Sequence, residues 1–154
     1  MTVPHRHLAL LAAMLACGCS TTTPTPTEQE RLEAAVLLWE AQELRSYHYE
    51  FRFVCGECPP GWEHLRRIVV DKGVITQVAD LISSEEVEID ERSATIEKLF
   101  RDIRDTLAAN PWQITVTYHP TQGYPTSLFV DLREAVQDDE FGYLAQNMTA
   151  LPVR

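Results

Sequence analysis

The residue types best suited to chemistry are two cysteines spaced two residues apart, Cys55 and Cys58. Such a pair can form a disulfide, supply thiolates to zinc, or act as a redox centre when a helix N-terminus lowers the thiol pKa. Here the pair ends a predicted strand, and Pro60 disfavours helical backbone at Pro59, so no helix can begin at Cys58. In an oxidising compartment the spacing favours a structural disulfide, with metal binding and redox use as the alternatives.

A metal site at the two cysteines would need two further ligands. The only nearby histidines are His48 and His64, and strand alternation directs His48 to the opposite face from Cys55. Acidic residues cluster at 84–91 and 138–140, but neither segment has the D-x-D-x-D-G spacing of a calcium loop. We therefore predict no metal and no other cofactor, and we expect the acidic clusters to be solvated surface.

Polar residues on two aromatic strands supply the candidate binding surface. From Tyr47 to Cys55 aromatic residues alternate with polar ones, and the stretch that begins at Trp112 has the same period of two. If these two strands are neighbours, their polar residues line one open sheet surface: His48, Glu50, Arg52, Thr115, Thr117 and His119. A wetted outer face without a ligand is the alternative interpretation.

Trp62 follows the Cys55–Cys58 loop and is a further candidate binding residue. A large aromatic at this position either anchors a partner or packs back onto the sheet. The sequence contains no G-x-S-x-G, H-E-x-x-H or phosphate-binding loop. We therefore predict no catalytic residues, and enzyme activity is disfavoured.

The N-terminus has the pattern of an export signal. Arg6 precedes an apolar run at 8–16, which is too short for a membrane-spanning helix of about 20 residues. The small residues before Cys17 and Cys19 resemble the lipobox of bacterial lipoproteins, whose cysteine is lipidated and becomes the first mature residue. Cleavage before Cys19 leaves one anchored cysteine plus the Cys-x-x-Cys pair, whereas cleavage before Cys17 leaves an odd thiol. We predict a signal peptide with lipobox at 1–18 and lipidation at Cys19, with Cys17 as the alternative.

The segment 19–27 is rich in Thr and Pro, which is typical of an extended tether, and a single domain is predicted at 28–154. An ordinary secretory signal with coincidental cysteines is the other interpretation, and it also exports the protein. The 154-residue chain has a formal net charge of -10 and no basic stripe, which argues against nucleic acid as a partner. Membrane affinity would come from palmitate-type acyl chains on the anchor.

Two helices and six strands are expected to position these residues. Thr27 and Glu30 form a capping-box pattern at the start of the first helix, and Ile96 to Leu107 has the apolar spacing of the second. The strands are predicted at 47–55, 65–71, 74–81, 112–118, 127–132 and 141–148. The order is helix, three strands, helix, three strands. Hairpin connections predict an antiparallel sheet with both helices packed on one face, an α+β fold.

The order of short motifs resembles the bacterial lipoproteins grouped as domain of unknown function 6174. The likeness runs from about Leu32 to Met148, and the Cys-x-x-Cys pair with the later Gly-Tyr-Pro loop is its most specific part. The other motifs are Trp39, Tyr47-His48-Tyr49, Val70-Asp71-Lys72-Gly73, Thr95-Ile96 with Phe100, Tyr118-His119-Pro120, Asp131 and Asp138-Asp139-Glu140. The resemblance implies an envelope location and a compact domain, and it implies no catalytic activity.

Together these features predict a lipid-anchored cell-envelope protein that acts as a non-catalytic binding or interaction module. The expected partners are the membrane, through the N-terminal lipid, and an envelope protein. Ser20 in the second mature position is not Asp, so in a bacterium with two membranes we expect the outer membrane, facing the periplasm. The alternative is an envelope enzyme or metal-dependent factor that uses Cys55, Cys58 and His64.

Overall fold

The computed structural model of the chain describes residues 25–152. The predicted signal peptide, both candidate lipidation residues and most of the predicted tether lie outside the described residues.

The first helix, α1, spans Glu28–Glu40 and begins at the predicted capping box. The Thr27 hydroxyl accepts a hydrogen bond from the Glu30 backbone N–H at 3.2 Å, and the Thr27 N–H donates to the Glu30 carboxylate at 2.7 Å. These bonds satisfy two amides that a helix N-terminus otherwise leaves free. Leu32, Ala35 and Trp39 are the buried residues of α1.

The second helix, α2, spans Ile96–Ala108, and Thr95 caps it by accepting from the Lys98 N–H at 3.2 Å. It buries Ile96, Leu99, Phe100 and Ile103, whose spacing of three and four residues places them on one side of the helix. The predicted helix and its predicted apolar side are confirmed.

The six strands form one antiparallel sheet, which confirms the α+β fold. They are β1 (Tyr47–Cys55), β2 (Arg66–Asp71), β3 (Val74–Asp80), β4 (Gln113–Tyr118), β5 (Pro125–Asp131) and β6 (Phe141–Ala150). Their order across the sheet is β3-β2-β1-β6-β5-β4. Each half of the chain therefore contributes three consecutive strands, and the first strand pairs with the last at the centre. The packing of both helices on one face stays a prediction.

Alternate residues of the strands combine with the helices in one hydrophobic core. On β1, Tyr47, Tyr49 and Phe51 are buried, while Arg52 is exposed on the other side. The Trp39 ring meets the Tyr47 ring edge-on, with centroids 5.3 Å apart. Buried residues thus alternate with more exposed ones along this part of β1, as the two-residue period of the sequence predicted.

A carboxylate from α2 joins these aromatic residues. The Tyr47 hydroxyl donates to Glu97 Oε2 at 3.1 Å and accepts from the Ile96 backbone N–H at 2.9 Å, and Trp39 Nε1 donates to Glu97 Oε1 at 3.1 Å. Burial raises the pKa of the Tyr47 hydroxyl, which keeps it protonated and able to donate. Helix α1, strand β1 and the start of α2 are therefore tied together at Glu97.

The Gly-Tyr-Pro loop contacts the backbone of α1. Gly123 has a φ of +81°, and a Cβ at this position would lie 2.3 Å from the carbonyl oxygen of Ala35 and 2.8 Å from the Trp39 nitrogen. Real Cβ atoms do not approach backbone this closely, so a side chain would force the loop away from the helix. Glycine is thus required at position 123 both for conformation and for contact.

The substitution Gly123→Ala should destabilise the domain more than Gly73→Ala. Both glycines have a φ of +81°, but a Cβ at Gly73 would meet nothing within 4 Å. Gly73→Ala should therefore lower the free energy of unfolding by about 1–2 kcal/mol, the cost of a left-handed alanine. Gly123→Ala should lower the free energy of unfolding by about 1–3 kcal/mol more than Gly73→Ala does, because the added Cβ overpacks the contact with α1. Urea denaturation measures both values. Equal losses would show that contact with α1 is unimportant.

Tyr47→Phe should destabilise the domain, whereas Tyr143→Phe should not. Loss of the Tyr47 hydroxyl leaves the Ile96 N–H without its acceptor and removes a donor from Glu97, at a cost of about 1–3 kcal/mol. The Tyr143 hydroxyl is buried and has no hydrogen-bond partner among residues 25–152, so its removal should be neutral or stabilising. The denaturation midpoints of the two variants test this order. A larger loss of stability in Tyr143→Phe than in Tyr47→Phe would contradict the role assigned to the Tyr47 hydroxyl.

Candidate functional site

The predicted disulfide is present: Cys55 and Cys58 are bonded, with their Cα atoms 5.3 Å apart. Cys55 is the last residue of β1, and the next residue, Gly56, donates its N–H to the Glu140 carbonyl at 3.3 Å. The disulfide loop therefore sits beside the start of β6. In the disulfide neither sulfur is a thiolate, so the pair offers no thiolate ligand for zinc.

His64 lies in a different arrangement, opposite an aspartate of β3. Its Nδ1 is 2.6 Å from Asp80 Oδ2, and the backbone N–H groups of Ile82 and Ser83 donate to Asp80 Oδ1 at 2.7 and 3.0 Å. The His64 hydrogen bond and these backbone donors lower the pKa of Asp80 to about 2. Within residues 25–152, no group of three His, Cys, Asp or Glu side chains is placed to hold a metal ion.

The candidate residues of the polar strand face are brought together only in part. His48 and Arg52 both lie on β1, on the side away from Tyr47 and Tyr49, with His48 half-buried and Arg52 exposed. The sheet order places β6 and β5 between β1 and β4. The two aromatic strands, β1 and β4, are therefore not neighbours, and the shared polar surface that was expected from them does not form. Sequence alternation gives the face of a strand but not its neighbour in the sheet.

His119 lies apart from His48 and Arg52. It follows the last residue of β4, and its ring stacks on the Tyr124 ring with centroids 5.0 Å apart. Its Nδ1 accepts from the Gln122 backbone N–H at 3.2 Å. The residue thus supports the loop that contains Gly123, and the expectation of one surface with His48 and Arg52 is corrected.

Trp62 is half-buried and packs between two side chains. Its ring centroid is 6.1 Å from that of Phe53, and the Arg92 guanidinium lies 4.8 Å from the ring. Arg92 in turn forms an ion pair with Asp90. Of the two orientations that the sequence left open, the structure has the one in which Trp62 folds back toward the sheet.

A groove that the sequence analysis missed lies where β1, β6 and β5 run side by side. We call it the outer groove and define it by Val54, Phe129, Gly142 and Leu144. Its volume is about 550 Å³. In the strand register Gly142 lies between Val54 and Phe129, and Phe129 and Leu144 are 43% and 39% exposed. Large apolar side chains are thus open to solvent around a position that has no side chain.

The two ends of the outer groove differ in charge. Cys55 of the disulfide and the acidic residue Glu140 line one end. Arg52 does not line the groove but lies next to its other end, opposite Leu144 in the strand register. A Cβ at Gly142 would lie 2.1 Å from the Leu128 carbonyl oxygen, so glycine is required there. The groove therefore has a fixed floor and a charge of each sign beside its apolar walls.

Comparison with known proteins gives one family. The model of the Family of unknown function (DUF6174) matches residues 31–150, which is most of the chain. The chain belongs to DUF6174. No curated protein and no solved structure matches it. Within residues 25–152, none of the helices is long and apolar enough to cross a membrane.

Several motif residues on which the resemblance to DUF6174 rests make contacts inside the fold. Trp39 and Tyr47 bind Glu97, Gly123 contacts α1, and Thr95 caps α2. Tyr49 donates its hydroxyl proton to the Ala94 carbonyl at 2.5 Å. These motif residues therefore stabilise the fold, and the exposed residues outside these contacts are the ones available for a binding surface.

Proposed function

We propose that the chain is an exported lipoprotein of the cell envelope whose domain is a non-catalytic interaction module. A lipid on Cys19 would hold it to the membrane, at the outer membrane facing the periplasm in a bacterium that has two membranes. The export-signal pattern and the lipobox cysteines support the anchor. The oxidised pair Cys55 and Cys58 is consistent with export, because disulfides persist in oxidising compartments.

The observation that supports an interaction role best is the outer groove. The solvent side of an antiparallel sheet normally presents polar residues, yet Phe129 and Leu144 are exposed on adjacent strands there. Exposed aromatic and aliphatic groups around a concave floor are typical of protein interfaces, where an apolar anchor of the partner fills the pocket.

The flanking charges indicate how a partner would be oriented. Glu140 at one end and Arg52 at the other would pair with a cation and an anion on either side of the partner's apolar anchor. The disulfide restrains the loop beside Glu140, so this end of the groove is formed before binding. We therefore propose an envelope protein as the partner that occupies the outer groove.

A photo-crosslinking residue in place of Phe129 should give a discrete adduct with one envelope protein in intact cells. The same residue in place of Ile82, which is 69% exposed but lies outside the groove, should give none. Phe129→Ser with Leu144→Ser should abolish binding of that protein and lower the free energy of unfolding by about 2–4 kcal/mol, since each side chain is a little more than half buried, so binding is measured under conditions where the variant stays folded. The same adduct from positions 82 and 129 would refute the groove as the interface.

Cys19→Ala should release the protein from membranes into the soluble fraction, because it removes the attachment point of the acyl chains. Cys17→Ala is the matched control and should leave the protein in the membrane fraction. Fractionation followed by immunoblotting measures both. The reverse outcome would move the lipid to Cys17, and release of neither variant would contradict an anchor at these cysteines.

A further inference from the structure

A second concave surface lies between the C-terminal end of α1, helix α2 and the turn that joins β2 to β3. Its volume is about 940 Å³, and we call it the helix cleft. Val74 and Ile89 both line it and are 64% and 49% exposed, so two open aliphatic side chains share one concave surface. The other large apolar lining residues are Val36, Trp39, Leu44, Ile75 and Phe100. The cleft therefore offers uncovered apolar surface to a ligand.

Three arginines line the same cleft. Arg45 follows α1, and Arg101 and Arg104 lie on α2 at a spacing that puts them on one side of the helix. In residues 25–152 none of the three has a carboxylate oxygen within 4 Å, whereas Arg66 and Arg92 share Asp90. In a chain of net charge -10, three arginines without a carboxylate partner along one partly apolar cleft suit an anionic ligand.

The other charges of the cleft restrict where an anion can lie. Glu97 is occupied by Trp39 and Tyr47, and Lys98 is paired with Asp102 at 2.7 Å. Glu40 and Glu43 also line the cleft, and both belong to the α1 side. Glu40 and Glu43 offset the charge of Arg45 at the α1 side, so an anionic group is attracted toward α2, beside Arg101 and Arg104.

From this arrangement we infer that the helix cleft binds an amphiphilic anion, a molecule with a carboxylate or phosphate head group and an acyl-type chain. The head group accepts hydrogen bonds from Arg101 and Arg104, since guanidinium groups bind both anions in a bidentate manner. The chain covers Val74 and Ile89, which removes their apolar area from water. This site is independent of the outer groove, so either can fail without the other.

The test uses the full-length chain with Cys19→Ala, purified without detergent, and isothermal titration calorimetry. Dodecanoate and dodecyl phosphate, below their micelle concentrations, should bind with one site per chain. Dodecyltrimethylammonium has the same chain and the opposite charge, and it should bind at least about tenfold more weakly, as should acetate and inorganic phosphate, which lack the chain. Methyl resonances of Ile75 and Ile89 should shift with the two anionic amphiphiles.

Charge variants locate the head group. The double substitution Arg101→Gln with Arg104→Gln should lower the affinity for dodecanoate and for dodecyl phosphate by about tenfold or more. Arg67→Gln removes the same charge from a residue outside the cleft that pairs with Glu50 at 3.7 Å, and it should leave both affinities unchanged. Glu40→Gln should strengthen binding because it removes repulsion at the α1 side. Unchanged unfolding midpoints verify that each variant is folded.

Three results would overturn the inference. Equal affinity for dodecanoate and dodecyltrimethylammonium would mean that the cleft binds apolar chains without regard to charge. Undiminished binding by the double arginine variant would place the head group elsewhere. Binding to phosphatidylglycerol vesicles without binding to any monomeric amphiphile would assign the arginines to a membrane surface and leave the cleft without a ligand.

Discussion

The domain depends on one carboxylate that three elements share. Glu97 accepts hydrogen bonds from Trp39 of α1 and Tyr47 of β1, and the Tyr47 hydroxyl also accepts from the first amide of α2. A carboxylate in partly buried surroundings is costly unless such donors are present, and a tyrosine buried with its hydroxyl unpaired is costly as well. The Glu97 carboxylate and its two donors, Trp39 and Tyr47, therefore each offset the cost of burying the others. Because β1 pairs with both β2 and β6, this arrangement also orients the centre of the sheet.

Local sequence signals were sufficient for the elements and for the disulfide. The capping box at Thr27, the apolar spacing of Ile96 to Ile103 and the alternation from Tyr47 to Phe53 are each set by neighbours within a few residues, and each has the predicted outcome. The pairing of Cys55 with Cys58 is equally local.

What the sequence did not reveal depends on contacts between distant residues. The pairing of β1 with β6 joins positions about a hundred residues apart, and no local pattern specifies it. The run Leu128-Phe129-Val130 is continuously apolar, so the sequence has no alternation that would indicate which side chain is exposed to solvent. In the structure it is Phe129. The outer groove and the helix cleft both combine such segments. They were therefore beyond a local analysis, as was the role of Glu97 as an acceptor for Trp39.

The central position of β1 and β6 has a consequence for how the protein acquires its structure. As the chain is synthesised from its N-terminus, residues 47–80 can form only a three-stranded unit whose β1 edge has no partner. The sheet can close only when residues 141–150, the end of the domain, become available. A topology with such high contact order folds slowly, because the loop entropy is lost before the central contacts form. The complete sheet therefore forms late, after β1 and β6 have been brought together across almost the whole domain.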